Sequence, residues 1–183
     1  MGEANGPYTR QLGDNLRAKI TDQFQNRFIV YNDHKLVNPD TIIAHVDDVC
    51  NDNNLAELDI AIVSNQNGQR SLAIVLEIEE HKHTPKRILG DMTAIMMSDW
   101  VTIKNDRLPL ENVDIIIGVI TKKGGVTDKK AKKIVAKLES NLSEGEWGKK
   151  GIRCTVITSY DGVTLIKEVE SKIVEILISR GNQ

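Results

Sequence analysis

Residues 58–80 read Leu58-Asp59-Ile60-Ala61-Ile62-Val63, then Ser64-Asn65-Gln66-Asn67-Gly68-Gln69-Arg70, then Ser71-Leu72-Ala73-Ile74-Val75-Leu76-Glu77-Ile78-Glu79-Glu80. The first run is apolar and rich in β-branched residues. The middle carries Asn-Gly among other turn formers, and the last is apolar again. Two such runs around an Asn-Gly predict a β-hairpin, with strands over 58–63 and 71–79. The second run shows no polar alternation, which predicts a strand buried on both faces.

Outward from the hairpin, the period changes. Leu16, Ile20, Phe24 and Phe28 recur every fourth residue, so a helix is expected over 14–28. Phe28 to Tyr31 reads as a short strand. Residues 32–54 form a polar connection that has room for another strand at 41–46. Downstream, Thr84 is suited to cap a helix and Pro85 to open it. That helix is expected to reach Trp100 with Ile88, Met92, Ile95 and Met96 inward. Val113 to Thr121 reads as a buried strand. Gly124-Gly125 marks a turn, and a lysine-rich helix is expected from Thr127 or Asp128 to Leu142. Arg153 to Thr158 reads as a strand, Asp161-Gly162 as a turn and Leu165 to Ser179 as a closing helix. Strands alternating with helices in the second half imply parallel crossovers. The expected fold is α/β, a mixed central sheet with flanking helices, with residues 14–183 as a single domain behind a flexible start at 1–13.

Composition agrees with a folded domain of ordinary size: 183 residues, 40% apolar and 27% charged. Aromatics make up only 4%, so the core must be aliphatic and stacking on an aromatic platform is not expected to dominate binding. Cys50 and Cys154 lie far apart with no Cys-x-x-Cys pair, which argues against a zinc knuckle and fits free thiols in a reducing compartment. No run of about eighteen apolar residues predicts a membrane span. The polar residues 1–10 lack the apolar centre of a signal peptide, and Gly6 stands where a myristoylation motif needs Ser or Thr. A cytoplasmic protein without a membrane partner is the expectation. Net charge is -2, unevenly spread: residues 121–153 hold ten Lys or Arg against four Asp or Glu, and the rest of the chain 14 against 22. The basic segment reads either as a solvated helix face or as a surface for phosphate backbone.

Side chains alternate along a strand, so Glu77 and Glu79 share one face and Ile78 takes the other. Pairing within the hairpin brings Asp59 beside them. Like charges that close raise one another's pKa unless a cation joins them, and carboxylates with a backbone carbonyl are what Mg²⁺ takes. The bland alternative is a solvated strand end. His81 and His83 could add a metal pair, although exposed residues at a strand-to-helix junction fit them better; Asp47-Asp48 read as a solvated loop. No P-loop or Gly-x-Ser-x-Gly nucleophile motif is present.

Over roughly residues 14–121 the chain resembles the PD-(D/E)-x-K nuclease superfamily, whose restriction-endonuclease-like core runs helix, three-strand meander, helix, strand. Leu58-Asp59 resembles the first motif element and Glu77-Ile78-Glu79 the second, with Leu58 in place of Pro and Glu79 in place of Lys, the acidic-x-acidic form. The resemblance implies a metal-dependent endonuclease that hydrolyses phosphodiester bonds in DNA, acting as a dimer. It implies Mg²⁺ or Mn²⁺ held by Asp59, Glu77 and the Ile78 carbonyl. Glu79 would hold metal or orient water, and Lys82 or Lys86 would stabilise charge on the phosphate. Lys129, Lys130, Lys132 and Lys133 would contact the nucleic-acid backbone. The alternative, motivated by Glu79, is a catalytically inactive nuclease fold serving as a binding or assembly module.

Overall fold

The computed structural model describes residues 6–47, 53–66, 68–80, 85–121 and 150–181, with 129–130, 133–134 and 136–137 between them. Helix α1 spans Pro7–Phe24. Pro7 occupies its first turn, where a missing N–H costs nothing. Leu12, Leu16 and Ile20 are wholly buried. Gln25 (φ 48°) and Asn26 (φ 64°) take left-handed backbone and reverse the chain into β1, Phe28–Asn32. The helix thus begins earlier than the apolar spacing predicts and ends before Phe28. Residues 7–13, expected to belong to a flexible start, form its first turns, with Thr9, Leu12 and Gly13 buried.

The predicted hairpin is present as β4 (Ile60–Gln66) and β5 (Gln69–Glu79), paired antiparallel with Ile60 opposite Leu76. β1 adds antiparallel to β4; β8 (Asp114–Ile120) adds parallel to β5 and β9 (Arg153–Ser159) parallel to β8. The mixed sheet has the order β1-β4-β5-β8-β9. Every residue of β8 is buried, the opening Asp114 included, as the apolar run over 115–120 requires of the rest. One face of the sheet, with Ile60, Ile62, Ile74, Leu76, Ile78 and Ile116, packs on α1 and on α3, Gly162–Gly181. Asp161, in the predicted turn, caps α3 by accepting a hydrogen bond from Thr164 N–H at 2.8 Å.

The opposite face, with Ala61, Val63, Val75, Ile115, Ile117 and Val119, packs on α2 (Pro85–Met97) and on a second sheet. That sheet was not expected. It is antiparallel throughout, in the order β3-β2-β6-β7, from Asn54–Glu57, Ile42–His45, Trp100–Ile103 and Asp106–Pro109. Trp100 therefore opens a strand and does not end a helix. Among the described residues no helix is long and apolar enough to cross a membrane.

Strand direction decides what meets where. β1, β5, β8 and β9 run one way and β4 the other. One edge of the main sheet therefore gathers the C-terminal ends of four strands and the N-terminal end of β4. Asp59, Glu77 and Glu79 lie on this edge.

Candidate active site

Asp59 sits between Leu58, whose N–H donates to Ile42 O of the second sheet at 2.9 Å, and the first residue of β4. Its carbonyl accepts from Asp33 N–H at 2.9 Å and its N–H donates to Glu77 Oε1 at 3.2 Å. Its carboxylate reaches across the hairpin, with Oδ2 accepting from Ile78 N–H at 2.7 Å. On the other side Oδ1 lies 2.5 Å from His34 Nε2. The hairpin register thus brings Asp59 against Glu77.

Glu77 is half-buried, whereas Glu79 is 5% exposed. Burial pushes the Glu77 carboxyl well above its usual range, and the charge of Asp59 pushes it further. The hydrogen bond from Asp59 N–H works in the opposite direction, while Asp91 and Glu79 add to the rise. Asp91 comes from α2, and its Oδ2 is buried with no hydrogen-bond partner among the described residues. Two strands and a helix therefore deliver carboxylates to one place. Among the described residues no three His, Cys, Asp or Glu side chains are already arranged as a cation cage.

His34, in the turn after β1, lies against Asp59. Burial disfavours its cationic form, but the hydrogen bond and charge of Asp59, with help from Asp33 and Glu80, outweigh burial and raise its pKa. Asn32 orients it by accepting from His34 N–H at 2.8 Å, and Arg10 Nε donates to its carbonyl at 3.2 Å. Glu80 faces away from the cluster. Its Oε1 accepts from Thr9 N–H at 2.6 Å and from Thr9 Oγ1 at 2.7 Å, so it caps α1, whose own N-cap Gly6 has no side chain to do so.

Other sequence-predicted residues are placed differently. Lys82, Lys132, His81, His83, Asp48 and Cys50 lie outside the described residues. Lys86 is on the first turn of α2. Lys129, Lys130 and Lys133 are exposed. Asp47 N–H donates to Asp99 Oδ2 at 3.0 Å, and Asp99 pairs with Lys150 at 2.6 Å, an arrangement of the second sheet and its flank. Cys154 is buried.

Sequence reasoning missed His34, Asp91 and Glu80. Asp91 left a signal, because it stands three residues after Ile88 and four before Ile95 and so falls on the inward row of its helix. His34 left none: its contact with Asp59 depends on β1 lying beside β4. In comparison with known proteins, the chain matches no family model, no curated protein and no solved structure.

Proposed function

We propose that this edge is the active site of a divalent-metal-dependent nuclease that hydrolyses phosphodiester bonds in DNA. The observation that carries the reading is the pairing of Asp59 with Glu77 across the hairpin, with the Glu77 carboxyl raised by burial and by its acidic neighbours. The orphaned Asp91 oxygen adds to it. A site crowded with carboxylate fits a hard cation with oxygen ligands. Asp59, Glu77 and the Ile78 carbonyl would hold Mg²⁺ or Mn²⁺, with Glu79 as a further ligand or as the group that orients the attacking water. When bound, such an ion lowers the pKa of its water and offsets charge on the phosphate. Lys82 or Lys86 would steady that charge, and the lysines of 129–133 would contact the backbone. The order helix, meander, helix, strand, formed by α1, β1-β4-β5, α2 and β8, also supports the resemblance drawn from the sequence.

One observation favours a second reading, a nuclease-like module without catalysis. Both Asp59 oxygens are already engaged within the protein, by His34 and by Ile78 N–H. Cleavage of plasmid and of labelled oligonucleotides with Mg²⁺ or Mn²⁺ separates the two. Under the nuclease reading the wild type cuts, while Asp59→Asn and Glu77→Gln lose at least about a hundredfold in rate, about 2.7 kcal/mol of transition-state stabilisation. A wild type that cuts none of these substrates and gains no melting temperature with either ion supports the module instead.

A further inference from the structure

The far edge of the main sheet, opposite the carboxylates, carries the reverse charge. Asp114 opens β8, Arg153 opens β9 and Arg180 stands one residue from the end of α3. The length of β8 separates the two edges by roughly 20 Å, six residue rises of about 3.3 Å. Asp114 is nearly covered, with its side chain 9% exposed, and two guanidinium groups close on it. Arg153 takes it as a fork, Nε donating to Oδ1 at 2.7 Å and Nη2 to Oδ2 at 2.8 Å. Arg180 brings a second cation to the same Oδ2, from Nη2 at 2.6 Å and from Nε at 3.1 Å. Burial works against the Asp114 charge, but the two arginines outweigh it and lower its pKa.

Two guanidinium groups on one carboxylate leave a positive charge over. The Arg153 fork alone would neutralise Asp114 and fasten β9 to β8. Docking of α3 does not need Arg180 either, since Val169, Ile173 and Leu177 already bury its apolar row. Arg180 is only 20% exposed, and like charges this close are costly away from bulk water unless an anion joins them. Arg27 adds a third cation at the same corner, its Nη2 donating to Gly181 O at 3.1 Å.

Arg153, Arg180 and Asp114 line a cleft of about 600 Å³ between the last turns of α3 and the first residues of β8 and β9. That is the size of a small-molecule site. Lys172 and Glu175 also line it, but they pair with each other at 2.8 Å and cancel. The surplus charge suits a phosphate, whose oxygens a guanidinium fork matches. The bonds to Asp114 use Nε and Nη2 of each arginine and not Nη1. Beyond the charges the wall offers the hydroxyls of Thr155 and Ser179 and the aliphatic Ile176. No aromatic ring is among the described lining residues, so a base would find nothing to stack upon. We propose that this cleft binds a small phosphate monoester with a hydroxyl-rich body, the class of sugar phosphates, with Arg153 and Arg180 on the phosphate and Thr155 and Ser179 against the body. The site is separate from the carboxylate edge and does not depend on what that edge does.

Isothermal titration calorimetry of the full chain tests this with ribose 5-phosphate, glucose 6-phosphate, glycerol 3-phosphate, inorganic phosphate, sulfate, ribose and a short blunt DNA duplex. At least one ester should bind with a Kd below about 1 mM, at least tenfold tighter than inorganic phosphate or sulfate, and ribose should give no heat. Arg153→Gln should weaken that ester about tenfold or more. Its side chain is 64% exposed and Arg180 still covers Asp114, so the melting temperature should hold. Arg153→Lys, which keeps the charge without the fork, should recover part of the affinity. Thr155→Val, which keeps the strand shape, should weaken the ester and leave inorganic phosphate unchanged. Lys167→Gln, on α3 but outside the cleft, should alter neither. The proposal is overturned if no ester binds at about 10 mM, or if ester binding survives Arg153→Gln. Equal affinity for ester, inorganic phosphate and sulfate would make the corner a site for any small anion and sink it as well. Duplex binding that Arg153→Gln abolishes, in a protein that binds no ester, would assign the arginines to a nucleic-acid backbone instead.

Discussion

Glu77 is the residue at which function and stability oppose each other. Burial and the charges of Asp59, Asp91 and Glu79 raise its carboxyl pKa in the folded protein above the ordinary value near 4.5. A group raised in this way binds more protons folded than unfolded. Its contribution to stability is complete below the unfolded pKa and is lost as pH rises through the folded one. Glu77→Gln keeps the shape and removes the charge. Thermal melts from pH 4 to pH 8 should therefore find wild type and variant alike at the acid end and the variant more stable at neutral pH. The expected gain is about 1 kcal/mol, or about 2–4 °C. Excess Mn²⁺ should reverse the order, because a ligand that binds the folded protein stabilises the one that holds it. A neutral-pH melt in which Glu77→Gln is the less stable, with or without Mn²⁺, would mean that Glu77 is held by compensating bonds and not strained for a cation. Little of this was legible in sequence. Period-two alternation placed Glu77 and Glu79 on one face and the hairpin placed Asp59 nearby, but Asp91 and the histidine arrive from elements whose positions only the assembled sheet determines.

At the scale of elements, the sequence was readable wherever one local pattern decided the structure. The hairpin strands were recognisable because apolar runs flank a strong turn, and α3 because its apolar period is unbroken from Leu165 to Leu177. The second sheet was not recognisable. Its strands are four residues each, too short to show alternation; only β2, expected at 41–46, was legible, and β3 in the same polar connection was not. The start of α1 was missed for a related reason: its apolar stripe begins at Leu12, and its cap comes from Glu80, 71 residues from Thr9. A strand-end carboxylate thus does for α1 what a serine or aspartate usually does from within. The same bond ties the helix to the end of the central strand. Glu80→Ala should lower stability by about 2 kcal/mol through the lost cap and its two hydrogen bonds. Denaturant titration would show this as a lower midpoint at unchanged slope. The metal-dependent rise in melting temperature should persist in this variant, because Glu80 faces α1 and not the cluster. Loss of that response would place Glu80 in the metal site and contradict the assignment made from its partners.

At the scale of the molecule, the two sheets share one interior. Ile42, Ala44, Val101, Ile103 and Leu108 of the second sheet pack in the same cluster as Ala61, Val75, Ile115 and Ile117 of the main sheet and Ile88, Met92 and Ile95 of α2. The second sheet also supports the site, since Leu58 N–H bonds Ile42 O one residue before Asp59, and Lys104 binds the Asp40 that closes the Leu36-Val37 turn. Such a shared core should melt as a unit. Ile103 is wholly buried within it, and Ile103→Ala should cost about 2–5 kcal/mol through lost burial and the cavity left behind. Fluorescence of Trp100, in a Trp147→Phe background, reports the second sheet, and far-UV circular dichroism reports the whole fold. With one cooperative core, Ile103→Ala should move both transitions down together, by roughly 5 to 15 °C. Early loss of the Trp100 signal with the dichroism unmoved would instead show a second sheet that unfolds independently. The turn beside Asp59 would then depend on a separable layer, because Leu58 N–H bonds Ile42 O of the second sheet.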